Sequence, residues 1–309
     1  MRRRLALFTL ATAMALLVTP AGLSAGGSAA AGSAFCDPGD GGVSASHGTE
    51  ATARGGPPRE PQLDQAHVDL PPSAEGRAGP RFAATVPVYF HVITAGAVGN
   101  VTDGQIADQI QVLNHTFAGN EGGARTGFTF ELAGVTRTDN PTWFFAGPGG
   151  KDEKGMKAAL HAGDAGSLNF YSTTAGPYLG WAFLPDIVTK PGQAQLDGVV
   201  VDWESIPGTS ATYAGRYDEG KTATHEVGHW LNLEHTFFGG CNAKGDFVED
   251  TPAQRTPTSG CPVGNDTCPE VGLDPIHNYM DYSFDSCYSE FTEGQKQRMG
   301  DAWLLYRAG

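Results

Sequence analysis

Closely spaced cysteine pairs are missing from this chain. Its five cysteines stand at positions 36, 241, 261, 268 and 287, and no two make the C-x2-C step on which zinc ribbons are built. Basic residues are scarce, 20 against 34 acidic, for a formal net charge of -14. That balance argues against nucleic acid or an anionic membrane surface as a partner. Long apolar runs are rare as well. The first, Leu5 to Val18, falls short of the roughly 20 residues that a spanning helix needs, and no later run is longer, so a soluble mature protein is expected. No internal repeat is present.

The chain starts with Arg2, Arg3 and Arg4, then the apolar run, then small residues from Ala21 to Ala34. This order predicts a secretory signal peptide over residues 1–34 and a secreted product; the arginines hint only weakly at twin-arginine export. Losing those three arginines leaves 17 basic against 34 acidic residues, or -17. Such acidity suits bound cations, or simply solubility. Residues 35–80 are rich in Gly, Pro, Ala and Ser and cannot bury enough surface to offset chain entropy, so a disordered pro-segment is expected there. Residues 81–309 are long enough for one domain with a sizeable core.

Within that domain Val86, Val88, Phe90 and Val92 alternate as in a strand. Thr102 with Gln105 makes a capping box, and Ile106, Ile110, Leu113 and Phe117 follow at helical spacing. A second strand is read at Phe128, Phe130 and Leu132, a short helix at Met156 to His161, and strands at Leu168–Ser172, Leu179–Leu184 and Val199–Val201. A helix is expected over Thr222–Leu233, capped by Thr222. A final helix starts at Thr292 and turns Met299, Trp303 and Leu304 inward. Between those two helices lies a long stretch of Pro, Gly, Asp and Cys. The pattern predicts an α/β or α+β sheet domain followed by a helix-poor, disulfide-bonded lower part.

His225-Glu226-Val227-Gly228-His229 matches H-E-x-x-H. On a helix, residues i and i+4 share a face, so both imidazoles can reach one ion while Glu226 holds a water beside it. The plain alternative is two surface histidines on an ordinary helix. His235 follows six residues after His229, and for it to return to the same ion the helix must stop and the chain turn sharply. Asn232 stands where a left-handed residue would make that turn.

The string H-E-V-G-H-W-L-N-L-E-H resembles the long zinc signature of the metzincins, in its pappalysin form, which accepts Asn at the turn. His277-Asn278-Tyr279-Met280-Asp281-Tyr282 is similar to that family's methionine turn. Gly245 to Pro252, Asp266 to Pro269, and Phe291-Thr292 with Gln295, Arg298 and Met299 extend the likeness from about Leu168 to the last helix. The resemblance implies a metzincin-like domain. Its sheet would be twisted and mostly parallel with an antiparallel edge strand, its active-site helix would carry the motif, and a loop-rich C-terminal subdomain would follow. It further implies a zinc metalloendopeptidase with His225, His229 and His235 as ligands, Glu226 as general base, Met280 as the floor beneath them and Tyr282 near the reacting carbonyl. Disulfides Cys241–Cys268 and Cys261–Cys287 are implied too, where spacing alone leaves three pairings open. So is calcium in the loops, for which Asp246, the carbonyl of Val248, Asp250 and Thr251 are candidate ligands. Glu234, beside His235, is a poorer ligand candidate.

Cys36 is left unpaired by that scheme and is a candidate cysteine switch, its thiolate filling the fourth zinc position until the leader is removed. Gly215 to Thr222 spells G-x-x-x-x-G-K-T, but no strand is expected to end at Ala214 and two acids lie inside the loop, so no nucleotide site is assigned. Leu179 to Leu184 is a candidate edge for an extended substrate to pair with. A monomer acting on proteins or peptides is expected, with acidic surroundings that suit basic substrate residues. The competing readings are a secreted zinc-binding protein without turnover and a metal-dependent amidase of cell-wall peptides.

Overall fold

A computed structural model describes residues 60, 61, 63, 67–242 and 244–308. The expected signal peptide and Cys36 lie outside the described residues. Five strands form one sheet: β1 (Ala84–Thr94), β2 (Phe128–Asp139), β3 (Leu168–Thr173), β4 (Gly180–Ala182) and β5 (Val199–Asp202), in the order β2-β1-β3-β5-β4. All neighbours run parallel except β4 against β5, so the sheet ends in an antiparallel edge strand.

Strand alternation assigns the two faces. Val86, Val88, Phe90, Val92, Phe170, Val199 and Val201 pack with Ile106, Leu113 and Phe117 of α1 (Asp103–Phe117) and with Ala223, Val227 and Trp230 of α4 (Lys221–Trp230). Ile93, Tyr171, Trp181 and Val200 point the other way. There they meet Phe144 of the single-turn α2 (Pro141–Phe144) and Met156 of α3 (Lys151–Leu160). In β4 the same alternation turns Trp181 toward α3 and Gly180 toward α4. Trp181 is fixed by its Nε1–H, which donates to Glu153 Oε1 at 2.8 Å. Glu153 in turn forms a fully buried ion pair with Lys157 at 2.9 Å.

The capping box at Thr102 and Gln105 is present. So is its counterpart at Thr292 and Gln295, which opens α5 (Glu293–Ala302). Four boundaries differ from the sequence reading. β2 runs on to Asp139, because beyond Leu132 it lies on the outer edge with mostly exposed residues, and no apolar period marks it. α3 begins five residues earlier than read, at Lys151 after Gly150, its first turn carrying Asp152 and Glu153. The expected strand Leu179–Leu184 is only three residues long, since Pro185 opens a short 3-10 turn to Thr189. Helix α4 starts at Lys221 behind Gly220, in the left-handed region at φ +82°, with Thr222 inside the helix rather than capping it. The cap comes from far along the chain: Asp285 Oδ2 accepts from the backbone N–H groups of Glu219 (2.9 Å) and Lys221 (3.4 Å).

The last turn, Trp303–Arg307, fastens the C-terminal end of α4. Arg307 lies flat over Trp230 at 3.6 Å, pairs with both oxygens of Asp197 (2.9 and 3.0 Å) and donates to the Trp230 carbonyl. Among the described residues between Leu231 and Thr292 regular structure is limited to one 3-10 turn, Asp285–Cys287. This lower part is stapled by Cys241–Cys268 and Cys261–Cys287. Residues 67–80 pack on α5 rather than forming a fold of their own. Leu70 and Ala74 bury against Ala302, and Gly76 and Ala78 each donate a backbone N–H to Asp301 at 2.7 Å. Among the described residues no helix is long and apolar enough to cross a membrane. The P-loop-like string is a run of turns before α4, and the Lys221 ammonium is held by the Tyr288 carbonyl (3.1 Å) and Glu121 (2.9 Å).

Candidate metal centre and active site

Helix α4 carries His225 and His229 one turn apart, both buried. It stops where Asn232 takes φ +78°. The amide of Leu233 then bonds back to the Gly228 carbonyl at 3.0 Å, and that of Asn232 to the His229 carbonyl at 2.8 Å. This is a helix end closed on a left-handed residue. The turn is held from outside by Arg298, whose Nε–H donates to the Asn232 carbonyl at 2.8 Å. The chain therefore doubles back, and His235 returns to the two helical histidines.

The three rings meet through their Nε2 atoms, with His229 lying 3.1 Å from His225 and 3.2 Å from His235. The tautomers follow from the opposite side of two rings. His225 Nδ1 faces the Tyr279 carbonyl at 2.6 Å and His229 Nδ1 faces the Leu233 carbonyl at 2.7 Å. Carbonyls only accept, so both Nδ1 atoms carry hydrogen and Nε2 is the nitrogen that each ring can offer to a metal. Lone pairs so close together repel unless a cation lies between them. Zinc–imidazole bonds of about 2.0–2.1 Å in tetrahedral geometry place ligand nitrogens about 3.3 Å apart, so the donor set fits a zinc ion. Glu234 takes no part; it faces His67 Nδ1 at 2.9 Å.

Met280 packs against α4 at Gly228. A Cβ added to Gly228 would sit 2.3 Å from its Sδ, which accounts for a glycine inside a helix despite a cost of about 1 kcal/mol. The turn around Met280 is fixed residue by residue. Asn278 and Gln295 exchange two amide hydrogen bonds (2.8 and 2.9 Å), and the Tyr279 hydroxyl donates to Glu121 at 2.6 Å. Asp281 accepts from Gln254 Nε2 and from the backbone of Thr258. Tyr282 reaches the site, its ring 5.0 Å from that of His235 and 5.7 Å from that of His225. Burial, with the charges of Glu60 and Glu226, keeps its phenol protonated and so able to donate.

Glu226 is 1% exposed, and its Oε2 has no hydrogen-bond partner. Burial, reinforced by the nearby Glu60, pushes its carboxyl well above the usual range. On the sheet side it abuts Gly180 of β4, where an added Cβ would fall 2.6 Å from Oε1. A small cavity of about 20 Å³ opens beside His225 and Glu226, lined also by Gly180, Tyr217, Tyr282 and Asp285.

A profile of the M43 peptidases, described as pregnancy-associated plasma protein-A, matches residues 209–303. An extracellular metalloprotease of Colletotrichum graminicola is 47% identical over 231 residues, covering 72% of this chain and 78% of that protein. The chain belongs to the pappalysin family of metalloproteases. Among solved structures, mature mirolysin of Tannerella forsythia in complex with a cleaved peptide is 30% identical with a TM-score of 0.61, covering 74% of this chain and 97% of that one. A promirolysin mutant from the same organism is 30% identical with a TM-score of 0.62, covering 75% and 83%. The sheet and its antiparallel edge are thus those of the pappalysin branch of the metzincins.

The structure brings together His225, Glu226, His229, His235, Met280 and Tyr282. The proposed calcium ligands are elsewhere and are not all alike. Asp246 is buried with Oδ2 unpartnered, whereas Asp250 spends its oxygens on the Thr292 hydroxyl (2.6 Å) and the Gly294 amide (2.9 Å) at the start of α5. Three residues of the site went unread in the sequence. Gly180 was noticed only as part of an edge strand. Asp285 sits in a string with no motif. Glu60 lies in a segment whose composition promised no structure at all.

Gly180 generates a prediction, because its φ is ordinary and only space forbids a side chain there. Gly180→Ala is expected to displace the Glu226 carboxylate and lower kcat by about 100-fold, as misplacements near 1 Å do, while bound metal stays stoichiometric. Unchanged kcat, measured alongside metal analysis, would show that the carboxylate does not depend on this contact.

Proposed function

We propose that this pappalysin-family protein is a secreted zinc-dependent endopeptidase, with Glu226 as its general base. The observation that carries the reading is the convergence of three imidazole Nε2 atoms next to a buried carboxylate oxygen that has no partner. His225, His229 and His235 would hold the ion, and the orienting carbonyls of Tyr279 and Leu233 keep the first two rings in the tautomer that ligates. Zinc bound there supplies Lewis-acid polarisation of the scissile carbonyl and a water of lowered pKa. Glu226 takes a proton from the attacking water and passes it to the departing amine, a task suited to a carboxyl whose pKa burial has raised. Tyr282 donates to the oxyanion that develops on the carbonyl. The relatives named extracellular metalloproteases, and the mirolysin structure with a cleaved peptide, support export and peptide cleavage.

Two further assignments follow from unpartnered oxygens. Asp285 lines the cavity beside Glu226, its Oδ1 lacks a partner, and burial pushes its carboxyl up to about 7. We assign it to recognition of a basic substrate side chain. In the lower part, burial likewise pushes Asp246 up to about 7. With the Val248 carbonyl and the neighbouring Thr251 it makes a calcium site whose charge is neutralised when the ion binds.

Casein hydrolysis that is blocked by o-phenanthroline and restored by zinc tests the main reading against both the non-catalytic and the amidase alternatives. Glu226→Ala is expected to retain one equivalent of zinc and lose turnover by at least about 10²–10⁴-fold. Full activity in that variant would refute the mechanism.

For Asp285, kcat/KM on peptide pairs differing only in a basic or neutral side chain beside the cleaved bond should show a preference for the basic one. The preference should grow as pH rises through about 7, where the carboxylate forms, and vanish in Asp285→Asn. A preference that persists in Asp285→Asn would remove the assignment.

For Asp246, the folded chain holds a proton that the unfolded chain releases near pH 4. Without calcium, stability should therefore fall as pH rises toward 7. Calcium needs the carboxylate, so its effect runs the other way. At pH 8 a 100-fold excess over Kd should raise Tm by about 5–10 °C relative to an EGTA-treated sample, with little effect at pH 5 and none in Asp246→Asn. An equal shift in that variant would place calcium elsewhere.

A further inference from the structure

Tyr279, whose carbonyl accepts from His225 Nδ1, is itself held at two further atoms. Its backbone N–H donates to the Glu290 carbonyl at 3.0 Å, and its hydroxyl donates to Glu121 Oε2 at 2.6 Å. The ring is fully buried against Tyr288 and Phe291. Burial and the Glu121 charge keep the phenol protonated, so it stays a donor. A buried hydroxyl that lost its acceptor would go unsatisfied, and the residue would have to shift to find another.

The same oxygen of Glu121 lies 2.9 Å from Lys221 Nζ. Lys221 is the first residue of α4, where a cation opposes the helix dipole, and that first turn contains no acidic residue of its own. Glu121, from the loop after α1, supplies the missing negative charge across space. The lysine is nearly buried, and its ammonium donates also to the Tyr288 carbonyl at 3.1 Å. Glu219 stands farther off at 3.7 Å. One carboxylate oxygen thus joins the two pieces of chain that converge on His225, the helix that carries the ring and the turn that orients it.

The loop bearing Glu121 is seated closely on its surroundings. Gly123 takes φ +65°, and an added Cβ would fall 2.4 Å from the Phe291 carbonyl oxygen and 2.6 Å from Glu290 Cβ. Only glycine lets the backbone approach so near. Ala124 then donates its N–H to the Phe291 carbonyl at 2.8 Å. The loop is therefore fastened to the stretch whose Glu290 carbonyl receives the Tyr279 N–H, and the carboxylate is aimed from a fixed base.

We propose that Glu121 is a positioning residue of the metal centre, fixing through Tyr279 the carbonyl that orients His225 and through Lys221 the helix that carries it. The proposal rests on the three-histidine zinc site. Partners that orient a ligating imidazole are worth about 10–100-fold in metal affinity. Glu121 acts one contact farther out, so the low end of that range is expected.

The test reads Zn²⁺ affinity by chelator competition in the full chain carrying Glu226→Gln to suppress self-cleavage. Glu121→Leu removes the acceptor and Tyr279→Phe the donor, and each should weaken Zn²⁺ binding about 10-fold. The double variant should be no weaker than either single one, because both delete the same hydrogen bond. Glu121→Gln, which keeps an acceptor for the phenol, should recover most of the loss. A merely structural role would lower Tm in the metal-free chain but leave the affinity of the folded protein, read well below Tm, unchanged. Additive losses in the double variant overturn the proposal and leave the zinc site standing. Parent affinity in Tyr279→Phe does the same, and that variant, which deletes a single oxygen, carries the test if Glu121→Leu does not fold. Absence of bound Zn²⁺ from the parent overturns the zinc site and this proposal with it.

Discussion

Everything in this structure that bears on chemistry depends on holding three imidazoles with their lone pairs pointed at one place. Such a cluster repels itself and gains nothing from burial, so it must be imposed by the surroundings. Two constraints impose it. One is the backbone reversal at Asn232, which costs a non-glycine residue a left-handed conformation. The other is the pair of carbonyls, from Tyr279 and Leu233, that fix two of the ring tautomers. Both constraints are held from outside the motif. Arg298 of α5 grips the Asn232 carbonyl, and the Tyr279 carbonyl is placed by the amide exchange between Asn278 and Gln295. Helix α5 is thus a buttress for α4, and its capping box is shared with the Met280 turn through Gln295.

The sheet contributes through a second chain of contacts. A buried Glu153–Lys157 pair orients Trp181, which fixes strand β4 and so sets the backbone of Gly180 against Glu226. Buried ion pairs seldom add net stability, because desolvation consumes the Coulomb gain. Here the pair provides a fixed direction for the indole N–H, and Glu226 sits two contacts away. Space at Gly180 and space at Gly228 do comparable work on opposite sides of α4, one admitting the carboxylate and the other the thioether of Met280.

Much of this was legible before any coordinates. Alternation gave the strands with interior faces, the Thr102 capping box gave the longest helix its start, and H-E-x-x-H with His235 and Asn232 gave the three histidines that meet and the turn that unites them. The disulfide pairing was legible only through family resemblance, since spacing admits three schemes. What stayed hidden has a common physical cause: it depends on partners remote in sequence. Thr222 looks like a helix cap, but Asp285, more than sixty residues on, supplies the acceptor. The outer half of β2 has no apolar period because an edge strand exposes both faces. Glu60 carries no local signal, and the Gly- and Pro-rich composition around it correctly denies an independent fold without revealing that a fold made elsewhere can receive it.

That last case shows how the site's parts are coupled. The segment from Glu60 onward engages the metal donors, the Tyr282 hydroxyl and the groove beside the edge strand at once. Its negative charge also disfavours ionisation of Glu226, the proposed general base. The histidine rings, Met280 and Gly180 are held by contacts that do not involve the segment, from the Tyr279 and Leu233 carbonyls and from the space left at Gly228 and Gly180, so the segment occupies a site that is formed without it.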